Sequence, residues 1–336
     1  MKAVGYQKMG PIDREDALVD IELEHPVAGA RDLLVKVHAV SVNPVDTKVR
    51  QRREPEPGEW LVLGYDAAGV VEAVGRDVEN FKPGDAVFYA GAIDRQGTNS
   101  EYHVVDERLV GKKPQSLNYA EAAALPLTSI TAWEMLFHRL ALSQEKSYSS
   151  TAILLIGGAG GVGSIAIQLL RALTDIQVIA TASRPETKSW ALDCGAHYVI
   201  DHRDSLSQQI ADLGLAPQYV FSTTHTNHHY TDIIELIAPQ GHLGVIDDPG
   251  DLSIMPLKQK SLSLHWEFMF TRSLCNTPDI SEQGDILNKV ASLVDAGTLR
   301  STLSSIAGKI NAAELGQAHA VIESGKVCGK IVLEGF

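Results

Sequence analysis

Residues 157–163 read Gly-Gly-Ala-Gly-Gly-Val-Gly, five glycines in seven positions. Glycine loses more backbone freedom on folding than any other residue, so this density calls for something that must come close to the main chain. Gly158, Gly160 and Gly163 satisfy G-x-G-x-x-G, with Ala159, Gly161 and Val162 between them. The apolar run AILLI (152–156) precedes the loop and the helical pattern VGSIAIQLLRAL (162–173) follows it. In that setting the first glycine serves a tight turn, the second admits a pyrophosphate, and the third lets helix and strand pack closely. The helix N-terminus then faces the phosphates with unpaired N–H groups. The pattern implies a bound dinucleotide.

The type of dinucleotide is read at the end of the next strand, QVIAT (177–181). An NAD unit places Asp or Glu there for the ribose 2′-hydroxyl. This chain has Ala182, Ser183 and Arg184 instead, with Lys188 a helical turn on. A hydroxyl and two cations suit a 2′-phosphate, which arginine can bind with two parallel N–H groups. Cations at a helix start oppose its dipole, so a compensating anion is expected nearby. NADPH is the expected cofactor.

Other residues of chemical type form weaker patterns. His225, His228 and His229 read as a surface loop, because no carboxylate or cysteine joins them at metal-ligand spacing. Cys194, Cys275 and Cys328 form no CxxC pair, so neither a disulfide framework nor a thiolate zinc site is expected, and each reads as a small buried apolar residue. Arg50, Arg52 and Arg53 read as a solvated charge run. Trp266, Phe268, Met269 and Phe270 suit core, pocket wall or subunit interface equally.

The elements that must position these residues divide the chain in two. Up to about residue 118, β-like runs such as DLLVKVHAVSV (32–42), AGVVEAVG (68–75) and DAVFYAG (85–91) alternate with turns such as FKPGD (81–85), the pattern of an antiparallel β domain. From about Tyr119, apolar strands at 152–156, 177–181, 219–223 and 243–247 alternate with helical stretches, which implies βαβ units and a parallel sheet. The 336 residues suit two domains. A net charge of −13 repels nucleic acid. No apolar run is long enough to span a bilayer, and the opening MKAVGYQKMG has no secretory apolar region, so a cytoplasmic protein is expected.

The motifs VNPVDTKVR (42–50), GYDAAGVVEAVG (64–75), FKPGDAVF (81–88), AAALPLTSITAWEML (122–136), GGAGGVGSIAIQL (157–169) and SGKVCGKIVL (324–333) resemble the medium-chain dehydrogenase/reductases. Within them the chain is similar to the zinc-free quinone-oxidoreductase-like group. The resemblance implies a GroES-like β domain (1–120 and 271–336) interrupted by a Rossmann domain with a doubly wound parallel sheet (121–270). It also implies a cofactor cleft and a homodimer. Zinc-dependent members carry a cysteine where this chain has Asn43, and a histidine where it has Tyr65. By the same resemblance Asn43 donates to the substrate oxygen, and Tyr65 fills the metal position as donor or plug. Asp46 holds the loop. Thr131 lies at the nicotinamide, His202 near the adenosine phosphate, and Lys330 at the cofactor. The tyrosine that enoyl-thioester reductases carry after N-P-x-D is missing from KVRQRREPEPGEW.

Without a Lewis acid, an ordinary ketone is hard to reduce, whereas a quinone or activated enone is already electron-poor. The expected activity is NADPH-dependent, metal-free reduction of quinones or α,β-unsaturated carbonyls. Alternatives are a zinc-type alcohol or aldehyde dehydrogenase and a non-catalytic, crystallin-like NADPH-binding protein.

Overall fold

The computed structural model describes residues 1–144, Tyr148 and 151–336. The chain forms two compact units, Met1–Ile130 with Phe270–Phe336, and Thr131–Met269. In chain order unit 1 holds β1 (Lys2–Tyr6), β2 (Val19–Glu22), β3 (Asp32–Val42), β4 (Leu61–Val62), β5 (Ala67–Val74), β6 (Ala86–Tyr89), β7 (Tyr102–Asp106) and β8 (Val110–Lys112). Unit 2 holds β9 (Ala152–Ile156), β10 (Gln177–Thr181), β11 (Tyr198–Ile200), β12 (Tyr219–Ser222), β13 (His242–Val245) and β14 (Ser263–Trp266). The returning chain adds β15 (Leu303–Gly308) and β16 (Lys330–Glu334) to unit 1. The helices used below are α1 (Pro44–Arg52), α2 (Tyr119–Ala123), α3 (Pro126–Trp133), α4 (Gly161–Leu173), α5 (Pro185–Asp193), α6 (Leu206–Asp212) and α7 (Thr226–Leu236).

Unit 1 is organised by β3. Its first eight residues bury alternate side chains, as a strand with one face on a core must, and its last four are all buried. It pairs antiparallel with β5, β7 and β16 in a sheet of order β15-β16-β3-β5-β6-β8. The Lys82–Asp85 turn joins β5 to β6: the Asp85 carboxylate accepts from the Lys82 N–H at 3.1 Å, and Gly84 takes the left-handed φ of +94°. A second sheet, β2-β1-β4, completes the unit. The boundary with unit 2 falls inside α3 and not at residue 120, because α2 packs on β3, β5 and β16, and the Leu127 N–H donates to Asp66 at 2.7 Å.

Arg50 departs from the expected solvated run. It is fully buried on α1 and pairs with Glu323, while its Nε donates to His319 Nδ1 at 3.4 Å. The charge is neutralised by a partner 273 residues away, a contact that local pattern cannot announce.

Unit 2 is a six-stranded, all-parallel sheet of order β11-β10-β9-β12-β13-β14. The order reverses between β9 and β12, where open α/β sheets bind ligands. All five residues of β9 are buried, which accounts for its unbroken apolar run. Gly244 in β13 makes room for Met135, whose Sδ would lie 2.3 Å from a Cβ there. Of the aromatic segment, Met269 and Phe270 are buried, while Trp266 and Phe268 are about half exposed beside the edge strand β14. Cys194 is buried as expected, Cys328 is partly buried, and Cys275 is exposed. Among the described residues no helix is long and apolar enough to cross a membrane.

Candidate functional site

In unit 2, β9 runs into the glycine loop and α4 leaves it with Gly160 as N-cap. The left-handed turn falls on Gly157 (φ +85°), one residue before the first glycine of the motif. The Gly157 N–H donates to Thr181 Oγ1 at 3.0 Å. Gly158 lies against Ala180, whose Cβ would be 2.6 Å from an added Cβ, and Gly163 lies against the Gly157 carbonyl at 2.3 Å. The fold itself therefore requires these three glycines. Gly160 differs, because the nearest atom to a Cβ there is 3.5 Å away and its φ is an ordinary −73°. Among the described residues nothing asks for glycine at 160, so the space beside it suits a ligand. α4 carries no acidic residue in its first turn, which leaves its positive dipole end open to an anion. The loop fits a dinucleotide pyrophosphate.

The residues after β10 form one polar group. Arg184 caps α5 and its Nε lies 2.9 Å from Glu186. Lys188 reaches Asp201 at 3.1 Å. Glu186 and Asp201 are thus protein anions that already face these two cations. Sequence reasoning missed Asp201 and Arg203, although both stand in Asp-His-Arg directly after β11. The side-chain hydrogen bond from Arg203, with help from Lys188, holds the Asp201 carboxyl far below the usual range. His202 is partly buried, and burial lowers its pKa. Its ring stands 6.4 Å from that of His229. The expected surface loop of histidines is instead the start of a helix. His225 precedes α7 with a left-handed φ of +52°, and His229 is buried, which lowers its pKa to about 4. Among the described residues no three His, Cys, Asp or Glu are placed to hold a metal ion. Thr131 is buried on α3, at the start of unit 2.

In unit 1 the N-P-V-D motif opens α1. The Asp46 carboxylate accepts from the N–H groups of Asn43 (2.6 Å) and Gly64 (3.0 Å), so it ties two loops together as expected. Burial outweighs these donors and pushes its pKa up to about 7. Asn43 is fully buried. Its Nδ2 donates to Asp66 at 2.7 Å, and its Oδ1 accepts from Lys330. Ser41 donates to the same Asp66 oxygen at 2.7 Å. Lys330 Nζ also reaches Asp66 at 3.2 Å and the Val42 carbonyl at 3.0 Å. Three partners take the three donors of the ammonium, so Lys330 neutralises a buried carboxylate in this structure. The Asn43 amide is engaged in the same network, with Asp66 and, at 3.5 Å, the Ser41 carbonyl as its acceptors.

Tyr65 stands apart from this network. Its ring is buried edge-on against Phe270, with centroids 5.2 Å apart. Among the described residues no hydrogen bond engages its hydroxyl. Burial, reinforced by the Asp46 charge, raises its pKa and keeps the phenol protonated.

A parallel sheet with a glycine loop at its first strand and an antiparallel β unit built around β3 define a Rossmann-type α/β protein with a GroES-like partner unit. Residues 29–115 match the family model described as alcohol dehydrogenase GroES-like domain, and residues 194–333 match zinc-binding dehydrogenase. A zinc-type alcohol dehydrogenase-like protein of Staphylococcus epidermidis is 38% identical over 338 residues, which is 99% of each chain. Among solved structures, a Rhizobium etli CFN 42 protein provisionally named a zinc-dependent alcohol dehydrogenase is 58% identical, with a TM-score of 0.97 over 100% of this chain and 98% of that one. A quinone oxidoreductase of Pseudomonas syringae pv. Tomato DC3000 is 25% identical, with a TM-score of 0.82 over 99% of each. The chain belongs to the medium-chain dehydrogenase/reductase superfamily of oxidoreductases.

The zinc in those names can be tested against the residues. A catalytic zinc takes three protein ligands of N, O or S type in one site. At Asn43 and Tyr65 this chain offers an amide bonded to a carboxylate and an ammonium, and a phenol held neutral. Asp66 is already neutralised by Lys330. This donor set does not fit a zinc ion.

Proposed function

We propose that the chain is an NADPH-dependent reductase of quinones or activated α,β-unsaturated carbonyls that works without zinc. The observation that supports this reading is the closed network of Asn43, Asp66 and Lys330, whose polar groups bind one another, with no metal-ligand cluster among the described residues. The loop 158–163 would hold the pyrophosphate, and Ser183, Arg184 and Lys188 the 2′-phosphate. The nicotinamide, when bound, supplies the hydride. Tyr65 is the proposed donor to the oxygen that gains charge, since its hydroxyl is protonated and engaged by no neighbour among the described residues. Asn43 and Lys330 keep the floor of the unit 1 site rigid and neutral. Likeness to a quinone oxidoreductase supports the acceptor class. The names of the Rhizobium and Staphylococcus relatives favour the second reading, an alcohol dehydrogenase that holds zinc. We take the working form to be a homodimer, on the exposed Trp266 and Phe268 at the edge strand.

The test is NADPH oxidation over a panel of quinones, conjugated enals, saturated ketones and primary alcohols, before and after prolonged chelation, with elemental analysis. Fast turnover of quinones or enals, unchanged by chelation, is expected. Stoichiometric zinc that restores activity on re-addition would overturn it, as would alcohols oxidised as fast as quinones are reduced. Arg184→Ala should weaken NADPH binding by about 1.5–3 kcal/mol, the size of a charge-assisted hydrogen bond, and leave NADH nearly unchanged.

A further inference from the structure

One carboxylate organises the polar ends of β10 and β11. Asp201 follows β11 directly, and its side chain is only 11% exposed. Its Oδ1 accepts from the backbone N–H of Arg203 at 3.1 Å and from Arg203 Nε at 3.0 Å. Its Oδ2 accepts from Arg203 Nη2 at 2.7 Å and from Lys188 Nζ at 3.1 Å. The same Nη2 donates to the Ser183 carbonyl at 3.2 Å, just past the end of β10. Gln209 on α6 fixes the Asp201 backbone from behind: it accepts from the Asp201 N–H at 2.8 Å and donates to the Asp201 carbonyl at 2.8 Å.

The two cations remain open to solvent, Lys188 at 40% and Arg203 at 67% of the side chain. Ion pairs this exposed contribute little to stability, so folding alone does not account for a clamp of four hydrogen bonds. The clamp draws a cation of α5 and a cation of the loop after β11 to one carboxylate and ties one of them to Ser183. Within the clamp two cations face one anion, and Asp204 is the next carboxylate to act on Arg203. Asp201 uses Arg203 through Nε and Nη2, and among the described residues no hydrogen bond engages Nη1.

We propose that Arg203 is a specificity-determining residue for the 2′-phosphate of the dinucleotide and that Asp201 is the positioning residue that holds Arg203 and Lys188 ready for it. This rests on the reading of the cofactor as NADPH. Two cations ordered before binding lose less side-chain freedom when the phosphate arrives. The sign of one substitution separates this from simple charge counting. If charge alone mattered, removal of the Asp201 anion would tighten NADPH binding. If position matters, the same change loosens it.

The experiment is calorimetric titration of the full chain with NADPH, NADH and 2′,5′-ADP, in the wild type and in Arg203→Ala, Arg203→Lys and Asp201→Asn. NADPH and 2′,5′-ADP affinity should fall about tenfold in Arg203→Ala and in Asp201→Asn, the size of one charge-assisted hydrogen bond. NADH affinity should hold within about twofold, and Arg203→Lys should recover part of the loss. Thermal scans check that each variant is folded, and the exposed Arg203 pair carries the test if Asp201→Asn is not. A wild-type preference for NADPH that persists in Arg203→Ala, or that strengthens in Asp201→Asn, overturns the assignment of these residues alone. A wild type that binds both cofactors equally overturns the NADPH reading and this inference with it.

Discussion

Tyr65 and Asn43 differ in how their polar groups are engaged. The Tyr65 ring packs on Phe270 and its hydroxyl meets no partner among the described residues, so the ring and the hydroxyl can be separated by experiment. Tyr65→Phe should keep the melting temperature and lower kcat on quinones, by at most about 10²–10³ for a preorganised donor and less where charge spreads over a ring. Unchanged kcat would make Tyr65 a plug. Asn43→Ala should instead cost stability, about 1–3 kcal/mol, because it strips a partner from both Asp66 and Lys330 in a buried site. Urea unfolding measures it, and a loss confined to kcat would point to a direct donor. Asp46 adds a pH signature. Its folded pKa, about 7, lies above the ordinary 3.8, so its contribution is complete below pH 3.8 and is lost as pH rises through 7. The stability difference between pH 6 and pH 8 should therefore shrink in Asp46→Asn.

At the scale of elements, the β9–loop–α4 unit separates glycines the fold needs from one it does not. A Cβ on Gly163 would meet backbone at 2.3 Å, so Gly163→Ala should destabilise the chain by about 1–3 kcal/mol or more, as overpacking does. A Cβ on Gly160 meets nothing closer than 3.5 Å. Gly160→Ala should leave stability within about 1 kcal/mol of wild type and still weaken dinucleotide binding. Thermal melts with and without NADPH would read both effects. Equal binding in Gly160→Ala would remove the pyrophosphate from that position. G-x-G-x-x-G was legible because spacing and flanking elements are local. That the tight turn sits on Gly157 was not, because it depends on Thr181 and Thr223 from neighbouring strand ends.

Across the molecule, three buried histidines share one sign. Burial lowers His103 to about 4, His229 to about 4 and His319 to about 3 from the ordinary 6.5. Each is neutral in the folded chain, so its contribution is whole above pH 6.5 and is lost as pH falls from 6.5 toward 4, where the unfolded chain binds the extra protons. Asp46 acts oppositely over part of that window, but it is one group against three. The melting temperature should fall between pH 7 and pH 5. A melting temperature that is flat or rises on acidification would show that these histidines do not govern the acid limb.

The sequence by itself determined the two-unit α/β organisation, the glycine motif between β9 and α4, and the superfamily. Each of these rests on short-range regularity: the two-residue alternation of β3, the apolar run of β9, and the fixed spacing of glycines before α4. Only the tertiary structure decided which charges meet. Lys330 and Asn43 lie 287 residues apart in the chain, and Arg50 and Glu323 lie 273 apart. The Asp201 clamp joins two elements 13 residues apart that share no periodic pattern. A polar side chain reads the same in sequence whether it reaches a ligand or a buried partner. Burial forces the partner, because an unpaired charge away from water is too costly to keep. Lys330 therefore stands as the counterion of a buried carboxylate, a pairing that its place in the motif does not reveal.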